Sequence, residues 1–139
     1  CCLLNVGGNV RATGQKPDGT PWTVGLENPD QDAEDYLAYL NLTDEALVTS
    51  GSYQRYYIVE GKRYHHIIHP HTLMPAEGFL SVSIICPDSG MADALSTALF
   101  CMPLEDGKAL ITSLEGVEAL WVATNGVQTT SDGWNKYVK

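Results

Sequence analysis

SVSIICPDSGMADALSTALFCM, residues 81–102, carries the two patterns that decide the fold. Its first part, Ser81–Cys86, is a continuous apolar and β-branched run, the pattern of a strand buried on both faces. Pro87 interrupts it. Asp88 or Ser89 then suits a helix N-cap, and the helix can run to about Cys101, just before Pro103.

Shorter strands extend the pattern upstream. Leu3–Val6 closes on Gly7-Gly8-Asn9, and Val10–Thr13 follows. The turn Pro17-Asp18-Gly19-Thr20 leads to Trp22–Leu26. Tyr36–Leu42 and Glu45–Thr49 are joined by Thr43-Asp44. Tyr56–Val59 and Tyr64–Ile68 flank Glu60-Gly61-Lys62, a hairpin turn. Downstream, a second helix is expected over Leu104–Leu114 with Gly116 as its stop. Val117–Thr124 and Val127–Thr130 form a closing hairpin around Asn125-Gly126. The sum is an α+β or mixed α/β fold: a largely antiparallel sheet with two helices in the second half, in one domain over 1–139.

The 139 residues are 44% hydrophobic, enough for a core. The net charge is −9, and seven acids lie between Glu27 and Glu45 with no Lys or Arg among them. That run reads as a solvated loop face. An acidic surface repels DNA, RNA and anionic lipid, which sets nucleic acid and membrane contact aside. None of Cys1, Cys2, Cys86 and Cys101 sits in a CxxC, and Cys86 and Cys101 read as core thiols. No apolar stretch approaches the ~18 residues of a membrane span. CCLLNVGGNV runs straight into strand-like sequence, so the chain is expected to start in the middle of a fold.

Asp93 is the single charged residue of Met91–Met102. A helix apolar on nearly every side is normally buried, and a buried carboxylate is normally paired or bound to a metal. Thr97 lies four residues on, which puts its hydroxyl beside Asp93 at roughly 5–6 Å between Cβ atoms. Two hard oxygens suit Mg²⁺ or Ca²⁺ better than zinc. The other reading pairs Asp93 with an arginine or with backbone amides.

All four histidines fall in RYHHIIHPHTLMP: His65, His66, His69 and His71. On a strand, His65, Ile67 and His69 share one face, and His66 and Ile68 the other. Zinc would need three or four convergent ligands, and Pro70 spoils a His65/His69/His71 trio. One histidine in proton transfer or phosphate contact is the functional option, and hydrogen-bonded structural imidazoles are the other. Gly7-Gly8-Asn9 could admit a phosphate to the backbone or simply make a tight turn. Thr49-Ser50-Gly51 offers hydroxyls at a strand end, with nothing to mark them as nucleophiles.

Five segments in order are similar to one family. LLNVGGNVRATG, ALVTSGSYQRYY, GKRYHHIIHPHTLMP, SVSIICPDSGMADALSTALF and GVEALWV resemble the carboxyl-terminal half of the ApbE-type FAD:protein FMN transferases, from about Leu3 to Thr124. The resemblance implies a T-fold-like half-domain of a magnesium-dependent enzyme. That enzyme transfers FMN from FAD to a threonine or serine hydroxyl of a target flavoprotein and releases AMP. It implies Asp93 and Thr97 as Mg²⁺ ligands, His66 as the catalytic histidine, and His66, Ile68 and Thr72 as flavin-nucleotide contacts. It also implies an extracytoplasmic, often lipid-anchored protein.

Two positions depart from the family pattern. His69 stands where the family usually has Asp, and Leu73 where it usually has Gly, which leads us to expect a differently shaped loop. The family's amino-terminal half, with its DLGGIAKG-like segment, does not occur in these 139 residues. The isolated chain is therefore expected to bind FAD weakly at best and to be inactive alone. Two alternatives stay open: an FAD pyrophosphatase using water as acceptor, and a non-catalytic half-domain.

Overall fold

The computed structural model describes residues 1–139 apart from 31 and 34. Ten strands and two α-helices follow in the order β1 (Cys2–Val6), β2 (Asn9–Thr13), β3 (Trp22–Leu26), β4 (Ala38–Leu42), β5 (Ala46–Gly51), β6 (Tyr56–Val59), β7 (Lys62–His65), β8 (Phe79–Cys86), α1 (Ser89–Phe100), α2 (Leu104–Ser113), β9 (Glu118–Ala123) and β10 (Gln128–Thr130). A 3₁₀ turn at Trp134–Lys136, which the sequence pattern did not announce, follows β10.

Six strands form the main sheet in the order β1-β2-β5-β8-β9-β10, every neighbour antiparallel. β3 and β4 make a separate ribbon, and so do β6 and β7. β8 sits inside the sheet, and seven of its eight residues are buried. Val82, Ile84 and Cys86 pack toward α1 and α2 with Leu99, Phe100 and Ile111. Ile85 packs the opposite way, with Leu47 and Leu120, against Leu26, Leu40 and Leu42 of the β3–β4 ribbon. Three layers result: helices, sheet, ribbon. The continuous apolar run in β8 follows from its place between two cores, one on each face.

The turns obey local chemistry. Glu60 and Gly61 both have positive φ, 49° and 77°, the signature of a two-residue type I′ hairpin. Gly7 and Gly8, at 61° and 96°, do the same between β1 and β2. Asp88, not Ser89, caps α1, accepting from the Met91 amide at 2.7 Å. α2 ends at Ser113 in an extended Leu114, and Gly116 turns the chain (φ 72°) before β9. The acidic run fills the β3–β4 connection and the turn before β5, with Glu34 outside the described residues. No helix among the described residues is long and apolar enough to cross a membrane.

Gly51 ends β5 under the ring of buried Tyr53. A Cβ there would lie 2.4 Å from Tyr53 Cε1 and 2.9 Å from Cδ1. Gly51→Ala is expected to cost about 1–3 kcal/mol through this overlap, measured by urea unfolding.

Candidate functional site

α1 is not enclosed. Its buried residues are Ala92, Ser96, Leu99 and Phe100, while Asp93, Ala94, Thr97 and Ala98 lie exposed on another side. This corrects the expectation of a helix buried all round: the apolar residues on the open side are mostly small, and hydropathy alone counted them as core. Asp93 is therefore an exposed carboxylate. Its contact is with Asn9 Nδ2, which donates to Oδ1 at 3.4 Å. Asn9 opens β2 directly after the Gly7-Gly8 turn, so that turn brings an amide to the edge of α1.

Thr97 sits one turn further along, its Oγ1 3.2 Å from Ser50 Oγ on β5. β5 alternates faces: Leu47 and Thr49 face the ribbon side, while Ala46, Val48 and Ser50 face the helices. Ser50 thus reaches α1 because of its parity on the strand. Sequence reading noticed Ser50 only as a hydroxyl at a strand end. Its partner lies 47 residues away, and only the register could join them.

The histidines separate into distinct roles. His65 is buried, with Nε2 2.8 Å from the Ala76 carbonyl and Nδ1 accepting from the Ile67 amide at 3.3 Å. A carbonyl only accepts, so Nε2 carries the proton and the neutral ring is satisfied on both sides. His66 is exposed, with Nδ1 3.3 Å from the Arg55 carbonyl. By the same logic Nδ1–H donates, which leaves Nε2 outside that bond. Regular strand structure stops at His65, so the expected strand Tyr64–Ile68 is cut short. The in–out alternation nevertheless continues through buried Ile67 and exposed Ile68, held by an isolated bridge from Ile68 to Pro75.

His69 Nδ1 accepts from the amides of His71 (3.2 Å) and Thr72 (3.4 Å). That is turn-capping work of the kind a carboxylate does, done here by a neutral imidazole. The Leu73 amide closes the turn on the His69 carbonyl at 2.9 Å. Leu73 itself has φ 57° and is 75% exposed. The backbone there takes the left-handed conformation that favours glycine, with the Leu73 side chain left in solvent. Leu73→Gly should gain about 0.5 kcal/mol, the relief of left-handed strain less the entropy of a glycine. Leu73→Ile should lose about 1 kcal/mol, because a β-branched residue tolerates this φ worst. Paired denaturation curves measure both.

A cleft of about 580 Å³ joins these two segments. Ile68 and the His69-Pro70-His71 turn form one wall, and Ala94, Thr97, Ala98, Cys101 and Met102 the other. Burial pushes the Cys101 thiol up from its ordinary range, so it stays protonated as an apolar part of that wall. It is half-buried at the cleft, while Cys86 is fully buried. Ile68 and Thr97 are brought together here, and Asp93 is on the same helix side as Thr97. His66 does not line this cleft. Thr72 lines a smaller neighbouring cavity of about 330 Å³ and accepts from the Met74 amide at 3.4 Å.

Among the described residues no group of three or more His, Cys, Asp or Glu is placed to share a metal. A hard cation asks for less: one carboxylate, neutral oxygens, waters and the phosphates of a bound nucleotide. The Asp93 carboxylate with the Thr97 hydroxyl, both exposed beside the cleft, fits that donor chemistry.

The family model described as ApbE matches residues 1–121. The FAD:protein FMN transferase of Klebsiella pneumoniae (strain 342) is 38% identical over 124 residues, 88% of this chain and 37% of that protein. The one from Treponema pallidum (strain Nichols) is 38% identical over 129 residues, 86% of this chain and 36% of that protein. The crystal structure of the ApbE protein from Thermotoga maritima superposes with a TM-score of 0.89 at 37% identity, across 99% of this chain and 45% of that one. The chain thus spans little more than a third of the length of the curated relatives it matches. With a family model running from residue 1 to 121 and a solved member following nearly every residue, the chain belongs to the ApbE family.

Proposed function

We propose that this segment supplies the magnesium-facing and flavin-facing side of an FAD:protein FMN transferase. The complete protein moves FMN from FAD to a threonine or serine hydroxyl of a target flavoprotein and releases AMP. One observation carries the reading: Ile68 and Thr97, from different segments of the chain, line the same cleft of about 580 Å³. The names of the relatives agree with it.

In this reading Asp93 and Thr97 hold Mg²⁺. A cation held there would supply positive charge to offset the FAD pyrophosphate and the charge that develops on departing AMP. Ile68, with Ala94, Ala98 and Met102, gives the flavin nucleotide an apolar wall. His66 is the base: its Nε2 lone pair takes the proton of the acceptor hydroxyl as that oxygen attacks phosphorus. Thr72 acts on the nucleotide indirectly, by shaping the turn capped by His69. An extracytoplasmic, lipid-anchored location for the whole protein remains part of the proposal through the family.

The test is mass spectrometry of a candidate acceptor after incubation with the intact protein, FAD and Mg²⁺. Expected is an FMN adduct on a Thr or Ser with AMP in equal amount. Free FMN and AMP beside an unmodified acceptor would make the protein a pyrophosphatase. Intact FAD throughout would leave a non-catalytic domain.

A further inference from the structure

The hydroxyls beneath Thr97 fix the direction in which it offers its lone pairs. Ser96 is fully buried, 0% exposed, and its Oγ donates to the Asp93 carbonyl at 2.9 Å. A carbonyl can only accept, so the single Ser96 proton is committed. Ser50 Oγ lies 2.8 Å from Ser96 Oγ, and the proton between them must therefore come from Ser50. Ser50 then has no proton left for Thr97 Oγ1 at 3.2 Å, so Thr97 must donate there. The protons run from Thr97 to Ser50 to Ser96 to the Asp93 carbonyl, one per hydroxyl.

Thr97 consequently keeps its proton turned inward and its lone pairs turned to the open side of α1, beside the Asp93 carboxylate. Each donor in such a chain polarises the next, which enriches the first oxygen in negative charge. We propose that Ser50 and Ser96 are positioning residues that orient Thr97 as a ligand for a divalent cation. This rests on the reading of Asp93 and Thr97 as the cation site. The relay makes a non-local demand: without the Ser96 hydroxyl, the Ser50 proton is free to turn toward Thr97. The Thr97 proton is then displaced outward, toward the cation.

The test titrates Mn²⁺ into the intact protein with FAD and follows free Mn²⁺ by electron paramagnetic resonance. Ser50→Ala and Ser96→Ala should each raise the half-saturating Mn²⁺ concentration about tenfold, as second-layer changes around metals do. Ser50→Thr, which keeps the hydroxyl, should stay close to wild type, and thermal unfolding without metal reports folding separately. Wild-type Mn²⁺ affinity in Ser50→Ala or in Ser96→Ala overturns the relay, provided Asp93→Ala still loses binding. Wild-type affinity in Asp93→Ala overturns the cation site itself. If Ser96→Ala does not fold, Ser50→Ala against Ser50→Thr decides.

Discussion

Asp93→Ala in the intact protein is expected to lower FMN transfer by about three orders of magnitude, equivalent to roughly 4 kcal/mol of transition-state stabilisation. The side chain has no structural duty that would blur the result. It is exposed on α1 and does not cap the helix. Among the described residues the ion pairs are Lys108–Glu105 and Lys136–Glu118, so no cation engages it. The Asn9 amide at 3.4 Å is a weak contact. The variant should therefore melt as wild type does. Asp93→Asn, which keeps the shape and loses the charge, should be nearly as slow. Transfer rates measured across a magnesium titration check this, and rates in Asp93→Ala that match wild type at every concentration would sink the assignment.

His66→Ala is expected to slow transfer by about 10²–10⁴-fold while FAD affinity stays within about twofold. The hydrogen-bond accounting motivates the split. His66 donates through Nδ1 to the Arg55 carbonyl, which orients the ring and leaves Nε2 open. It does not line the cleft shared by Ile68 and Thr97, so binding should survive its removal. His65→Ala is the control. Its ring bridges the Ala76 carbonyl and the Ile67 amide and meets the Phe100 ring edge-on at 5.6 Å. That variant should lose stability before anything else. Single-turnover kinetics with equilibrium FAD titration separates the outcomes, and loss of binding alone in His66→Ala would demote His66 to a contact.

The elements were legible wherever a local rule governs them. The β-branched run of β8, the Glu60-Gly61 and Asn125-Gly126 turns and the Asp88 cap each carry their own signal. The placement of Asp93 and Thr97 one turn apart on α1 was legible too, as helix spacing. What the sequence hid is tertiary. Hydropathy scores Ala94 and Ala98 as core because it cannot know that they lie exposed among the described residues. The Ser50–Thr97 contact depends on the register of β5 against β8 and on how α1 lies across both. The turn-capping role of His69 shows only once the accepting nitrogen is placed against two amides. Of the residues the resemblance nominated, Ile68 and Thr97 share a cleft, and His66 and Thr72 lie outside it.

β1 has a consequence for handling the segment by itself. It forms one rim of the six-stranded sheet and pairs only with β2 among the described residues. All five of its residues are exposed, including Leu4 at 54% and Val6 at 76%. A bare rim of this kind offers its free amides and carbonyls as a template for another chain, and here no Lys, Pro or bulge within the strand discourages that. Purified alone, the 139 residues should stack rim to rim as concentration rises. A Lys placed at Leu4 should keep them dispersed in light scattering.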